Sequence, residues 1–408
     1  DEMRILFLTP QLPYPPEKGT ALRNWGLISG LSTRHEIAVL SFLDRGQSHG
    51  IADVLRGACC VETVEAPART LRDRLRDMLT TRQPDMALRL ASDAYGERLA
   101  DWLARESFDV VQIEGIELAP YLNIINQVWP TAKRAGRPLV VFDDHNCEYV
   151  LQERVFLTDL YSPDRWPAAA YSFVQWRRLR RYEAQVCLKA DRVLAVSQAD
   201  ARALRNLIPG LDVTVIPNGI DPRVYQPVTV EAPVASHTLV FTGTMDFRPN
   251  VDAVLWFTRE VWPLIKAEVP DVHFSVVGQR PHRRLDPLRE DRSVTLTGRV
   301  EDVRPYIADA AVYVAPLRMG GGTRLKLLEA MAMSKPVVAT SLGAEGYPVT
   351  DQHELILADA PAEFAQAVVS LLHSPARRAE LGHSARTFVQ RRYDWRVIVP
   401  WLEQVYAK

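Results

Sequence analysis

Short apolar runs recur along the chain, each closed by turn residues and followed by a stretch whose apolar positions repeat at helical spacing. The first run, MRILFLT (3–9), suits a strand buried on both faces. A stiff loop, PQLPYPPEKG, follows it, and then an amphipathic pattern from Thr20 to about Leu31. HEIAVLSF (35–42) is the next predicted strand, and FDVVQIEG (108–115), PLVVFDDHN (138–146), DRVLAVS (191–197) and DVTVIPNG (212–219) continue the series. Strands alternating with helices predict a parallel sheet with helices on both faces.

Near residue 220 the periodicity stops. DPRVYQPVTVEAPVASH (221–237) holds three prolines and reads as a linker. TLVFTG (238–243) then restarts the scheme, with a helix from about Val251 and strands at VHFSVVG (272–278), VTLTG (294–298), AAVYVAPL (310–317) and PVVATS (336–341). The expected class is α/β, with two doubly wound, Rossmann-like domains facing across a cleft. Their expected spans are 1–220 and 238–391, with a last helical segment at 392–408.

A length of 408 residues agrees with two domains. The formal net charge of -1 gives no global field that would draw in nucleic acid, so any anion site must be local. The four cysteines (Cys59, Cys60, Cys147, Cys187) form no C-x-x-C pair and show no zinc-site spacing, which favours a reducing, cytoplasmic setting without a bound metal. No apolar run approaches the roughly 18 residues that span a bilayer, and no leader pattern opens the chain.

In open parallel sheets ligands bind at the carboxyl ends of the strands. That rule selects the loops 10–20, 143–148, 243–250 and 318–326. The last, in RMGGGTRLKLLEAMA (318–332), places three glycines (Gly320, Gly321, Gly322) and two cations (Arg324, Lys326) at the start of a predicted helix. Cations in a first turn oppose the helix dipole unless an anion sits there. A diphosphate would remove the penalty, with glycine backbone wrapping it and Thr323 capping the helix. The bland alternative is an i,i+3 pair between Lys326 and Glu329. Glu329, one turn on, could instead accept bonds from ribose hydroxyls, whereas Leu325, Leu328 and Ala332 line a core face.

The other loops carry weaker signals. His145, at a predicted strand end, could bond a substrate hydroxyl or shuttle a proton. Gly19 and Thr20 open a helix beside the expected cleft. Gly243 and Arg248 belong to GTMDFRPN, where Arg248 could reach a phosphate or lie in solvent. FVQWRRLRRYEAQ (173–185) interleaves aromatics with four arginines. It reads as the solvated face of a packed helix, with contact to a phosphorylated or lipid-linked acceptor at the inner face of a membrane as the alternative. The chain has no G-x-G-x-x-G, no G-x-x-x-x-G-K-[ST] and no D-x-D.

LVFTGTMDFRPNVDAVLWF, PDVHFSVVG, GRVEDVRPYIADAAVYVAPLRMGGGTRLKLLEAMAMSKPVVATSLGAEG, VLAVSQADARAL and VIPNGID together resemble the group 1, or family 4, retaining glycosyltransferases of GT-B fold, in a GGGTRLKLLEAMA variant. The resemblance is strong over 238–346 and looser over 45–135. It implies a nucleotide-sugar donor held by the C-terminal domain, a glycan, lipid-linked or small-molecule acceptor held by the N-terminal domain, and no metal or other cofactor. It also implies that the final helix crosses back to the N-terminal domain. By motif match Glu329 meets the ribose, His145 lies near the donor sugar and Gly19 faces the diphosphate. Glu345, in GAEG, belongs to a loop that closes over the donor, and Gly298 to Val300 approach the base.

Two positions depart from the family pattern. Gly321 stands where many members carry a glutamate that contacts sugar hydroxyls, and Thr244 and Pro249 stand where many carry an Arg and a Lys. The missing charge is then supplied by Arg324 and Lys326. The expected activity is metal-independent transfer of a sugar from a UDP- or GDP-sugar to an acceptor hydroxyl, with retention by front-face attack. The alternatives are a nucleotide-sugar epimerase of the same architecture and an idle protein that binds a nucleotide sugar or glycan.

Overall fold

A computed structural model describes residues 2–16, 19–44, 55, 57–129, 136–161, 163–228, 237–321 and 323–407. The chain divides into two compact units. The first holds 1–217 with 398–408, and the second holds 218–397.

The first unit is built on a seven-stranded sheet in which every pairing is parallel. Its strands are β1 (Arg4–Thr9), β2 (Glu36–Leu43), β3 (Cys60–Glu65), β4 (Val110–Glu114), β5 (Leu139–Asp144), β6 (Arg192–Ala195) and β7 (Val213–Val215), in the order β3-β2-β1-β4-β5-β6-β7. The six strands expected from apolar runs are present. β3 was not expected because CVETVE alternates, as befits an edge strand that pairs only with β2. Buried side chains of β1, β2, β4 and β5 pack with Tyr95, Leu99 and Trp102 of the helix Asp93–Arg105. Tyr95 stacks on Phe42 at 4.3 Å and donates to the Leu40 carbonyl, which satisfies its buried hydroxyl.

The second unit repeats the plan with β8 (Thr238–Thr242), β9 (His273–Val277), β10 (Val294–Leu296), β11 (Val312–Ala315), β12 (Val337–Ala339) and β13 (Ile356–Leu357), in the order β10-β9-β8-β11-β12-β13. One face packs Phe257, Trp262 and Phe364 against Phe241 and Phe274, and the other packs Leu327, Leu328 and Met331 against Val240 and Tyr313. The two-residue β13 gives no periodic signal and was not expected. In each sheet the strand order reverses once, between β1 and β4 and between β8 and β11. These are the switch points at which a doubly wound sheet opens a crevice at its carboxyl edge.

Residues 218–228, expected as the end of the first domain and the start of a linker, group with the second unit. Ile220 exchanges backbone bonds with Tyr393 and Trp395 there. The helix Trp395–Ala407 enters the first unit at Ile398, where Tyr406 donates to Gln112 of β4 and Glu403 meets Arg34 and His35. The four cysteines are unpaired, and no helix among the described residues is long and apolar enough to cross a membrane.

Candidate active site

In the second unit the loops after β8 and β11 meet at the switch point. The first leads into the helix Arg248–Trp256, with Arg248 exposed on its opening turn, and the second into the helix Leu325–Ala332. This second helix has the sequence LKLLEAMA. Leu327, Leu328, Ala330, Met331 and Ala332 are buried in the core, leaving Lys326 and Glu329 on the remaining face. Gly322 lies outside the described residues. Gly320 has a φ of +100°, a conformation that glycine adopts without a Cβ penalty.

The helix begins later than expected, with Arg324 at the capping position and no side-chain cap. Thr323 therefore does not cap it. Its hydroxyl instead accepts a 3.0 Å bond from Asn218. The Arg324 guanidinium donates to the carbonyl of Gly321, folding back on its own loop.

The Lys326 ammonium donates to Asn250 Oδ1 at 2.7 Å and lies 4.5 Å from the centroid of the Phe241 ring. Asn250 is oriented by its own 2.9 Å bond to the Thr244 carbonyl. Gly243 is required beside them: a Cβ there would stand 2.7 Å from Lys326 Nζ and 2.7 Å from Asn250 Nδ2. Burial, aided by the charge of Arg324 and opposed by Glu329, lowers the Lys326 pKa from 10.5 to about 7. No ion pair joins Lys326 and Glu329 among the described residues, so the i,i+3 alternative is not realised. Glu329 Oε1 instead accepts the Tyr225 hydroxyl at 3.2 Å, and burial raises the carboxyl's pKa against that bond and Lys326.

The remaining candidates lie in loops after other strands of the second sheet. Glu345 lies in the turns that follow β12, beside Gly346, whose added Cβ would stand 3.0 Å from Thr323 Cγ2. Gly298 and Val300 follow β10, where Gly298 bridges to Gly278 and Val300 packs on the core. Arg318 is occupied by Asp252 at 3.0 Å and by the face of Trp256.

The first unit gathers charge at the ends of β4 and β5. His145 Nε2 is 2.5 Å from Glu114 Oε2, and Gln112 donates to the other oxygen of Glu114 at 2.6 Å. Arg23, 1% exposed, donates to both oxygens of Asp143 at 2.9 and 3.0 Å. Burial alone would lower the His145 pKa, but the bond and charge of Glu114, with Asp143, raise it above the usual value. Burial pushes Asp143 up to about 6 against the pull of Arg23. Gly19 and Thr20 open the helix Gly19–Leu31, which carries Arg23.

Among the described residues, two groups have metal-ligand chemistry. In Glu114, Asp143 and His145 the positive charge is already provided by Arg23 and the imidazole. In Asp144, Cys147 and Glu183 the glutamate accepts the amides of Glu148 and Tyr149 at 2.8 and 3.0 Å, and Asp144 faces it, held well above the usual carboxylate range by burial and by Glu183. Burial likewise raises Glu183, to about 7.

Asn250, Tyr225, Asn218, Glu114 and Arg23 were not singled out in the sequence. Gln112 and Glu114 inside an apolar strand, and Arg23 within the amphipathic segment that follows loop 10–20, were the available signals.

Two parallel sheets of Rossmann order, one with cations and a carboxylate at its switch point, define the GT-B architecture. Solved structures agree over the full chain. The Anabaena protein HepE in complex with UDP and glucose matches with TM-score 0.65 at 15% identity, covering 100% of both chains. Sucrose-phosphate synthase from Thermosynechococcus elongatus matches with TM-score 0.71 at 17% identity, covering 100% of this chain and 98% of that one. Residues 25–224 match the family described as Glycosyltransferase Family 4, and residues 236–374 match Glycosyl transferases group 1. The protein belongs to these glycosyltransferases. Among curated relatives, phosphatidyl-myo-inositol mannosyltransferase of Mycolicibacterium smegmatis is 31% identical over 209 residues, 48% of this chain and 52% of that protein. An uncharacterized 44.6 kDa protein in the cps region of Klebsiella pneumoniae is 24% identical over 164 residues, 38% of this chain and 42% of that protein. The chain spans about half the length of the curated relatives it matches.

Proposed function

We propose that the protein transfers a sugar from a nucleoside-diphosphate sugar to an acceptor hydroxyl with retention of configuration. The observation that carries this reading is Lys326 at the second switch point, which among the described residues has no ion-paired carboxylate, with Arg324 before it and Glu329 one turn on. A bound anion makes that arrangement favourable at a helix start. Lys326 and Arg324 hold the diphosphate and Glu329 accepts from the ribose. The bond from the anomeric carbon to the diphosphate oxygen breaks while the acceptor oxygen bonds that carbon on the same face. The departing phosphate oxygen takes the acceptor proton, and the two cations stabilise its developing charge. His145, fixed by Glu114, donates to a sugar hydroxyl. This chemistry needs no metal.

UDP- and GDP-sugars are the first donors to try. HepE was solved with UDP and UDP-glucose, and one relative, from Corynebacterium glutamicum, is named a GDP-mannose-dependent mannosyltransferase. The test is thermal unfolding with UDP, GDP, TDP and ADP in EDTA. A ligand at about 100 times its dissociation constant adds roughly 2.7 kcal/mol of stability. A shift with one diphosphate, lost in Arg324→Ala, supports the reading, and no shift with any of them refutes it.

A lipid-borne acceptor is favoured by one further observation. The helix Leu71–Thr80 has no buried residue and exposes Leu71, Leu75 and Leu79, four residues apart, beside Arg72 and Arg76. An outward apolar line with arginines beside it suits an anionic membrane surface on the cytoplasmic side. Sedimentation with anionic but not neutral vesicles, lost in Leu75→Glu, is the expected result.

A further inference from the structure

The segment 218–226 spans the end of the expected first domain and the start of the linker expected at 221–237, yet it is strapped to the donor helix. Asn218 donates to Thr323 at one end of the cradle, and Tyr225 donates to Glu329 at the other. Between them Arg386 donates to the carbonyls of Tyr225, Pro222 and Ala332, tying the segment to the end of the helix Leu325–Ala332. Arg304 holds the Val224 carbonyl at 3.0 Å. Four tethers within nine residues do not describe a spacer.

A phenol has one proton to give and lone pairs that accept. With its proton committed to Glu329 Oε1, Tyr225 has only its oxygen lone pairs to offer a group that shares that carboxylate. We infer that Tyr225 is a specificity-determining residue: it fixes the Glu329 carboxylate and, with it, forms the acceptor pair that recognises a vicinal diol, so that a ribonucleotide is selected over one lacking ribose hydroxyls. The inference rests on Glu329 meeting the ribose, and it deepens that reading by adding a second acceptor from a different part of the chain. A phenylalanine here would fill the same space and lose only the hydroxyl.

The test is calorimetric titration of the full chain with UDP and 2′,3′-dideoxy-UDP, and with GDP and 2′,3′-dideoxy-GDP, using wild type, Tyr225→Phe, Glu329→Gln and the double variant. Tyr225→Phe is expected to weaken the ribonucleotide up to about tenfold while leaving the dideoxy form within about twofold, the loss that one neutral hydrogen bond gives. Retained dideoxy binding also reports that the variant is folded. In the double variant the two losses are expected to be non-additive, since the residues act as a unit. Equal weakening of both nucleotides, no weakening of either, or additive losses would overturn the role of Tyr225. If Glu329→Gln keeps the full preference for the ribonucleotide, the ribose reading itself fails. If Glu329→Gln loses the preference and Tyr225→Phe keeps it, the role of Tyr225 alone fails.

Discussion

Lys326 allows the anion-site reading to be tested through two quantities that move in opposite directions. Its amine is held at about 7, against 10.5 in an unfolded chain. Between those two pH values the unfolded state carries a proton that the folded state lacks, so folding stability rises with pH across that window. At about 1.36 kcal/mol per pH step, holding this amine costs the folded, unliganded protein at most about 5 kcal/mol below pH 7. Lys326→Met is therefore expected to raise the melting temperature of the unliganded protein, most at pH 6 and less by pH 9. Diphosphate binding runs the other way. The bound anion favours the ammonium, so binding takes up a proton wherever the free amine is neutral. Wild-type affinity for the nucleoside diphosphate is expected to fall from pH 7 to 9, approaching about tenfold per pH step. Phosphate groups lose their last proton near pH 6, so the ligand's own titration lies below this window. Calorimetry in buffers of different ionisation enthalpy counts the protons taken up, about half at pH 7 and nearly one at pH 9. Lys326→Arg, whose guanidinium stays charged, should bind with a flat profile over the same range. A flat wild-type profile, or a decline of equal slope in Lys326→Arg, would refute the reasoning.

Arg324→Ala is expected to lower turnover by about 10²–10³, the loss that follows removal of one preorganised donor, and steady-state kinetics with near-normal turnover would contradict its role. Gly243→Ala places a methyl 2.7 Å from Lys326 Nζ and should weaken donor binding, measured by titration, well beyond its effect on the melting temperature. Glu114→Gln removes the charge that raises the His145 pKa, so the limb of the pH–rate profile that reports His145 should move to lower pH. Arg23→Met leaves Asp143 buried without its cation and should cost about 3–5 kcal/mol in urea denaturation.

The strands that were legible in the sequence are those buried on both faces, because continuous apolar runs such as ILFL and VVF have no other stable placement. β3 and β13 escaped because an edge strand alternates and a two-residue strand has no period. The charges of the donor helix were equally legible, since Arg324, Lys326 and Glu329 stand out in an apolar context. Their partners were not. Asn250 lies 76 residues from Lys326 and Tyr225 lies 104 from Glu329, separations at which pattern carries no information. The alternative of an i,i+3 pair failed for the same reason, since each member has a partner that only the tertiary fold supplies. Thr323 looked like a cap from spacing alone, but Asn218 takes its hydroxyl and the helix starts two residues later. His145 stood out as an isolated histidine, whereas Gln112 and Glu114 were not singled out within their strand until the fold aligned them behind it.

The helix Trp395–Ala407 carries a consequence for engineering. The last eleven residues belong to the first unit although the 180 before them form the second. Gly30 shows how closely they are fitted: a Cβ there would come within 2.5 Å of Val399 Cγ2. A chimera that exchanges the second unit with that of another glycosyltransferase therefore needs two junctions, one near 217 and one near 397. The tail must be inherited from the parent that supplies residues 1–217. A single crossover near 217 would graft a foreign helix onto Gly30, Gln112 and His35, and such hybrids should fail through the half they were meant to leave untouched.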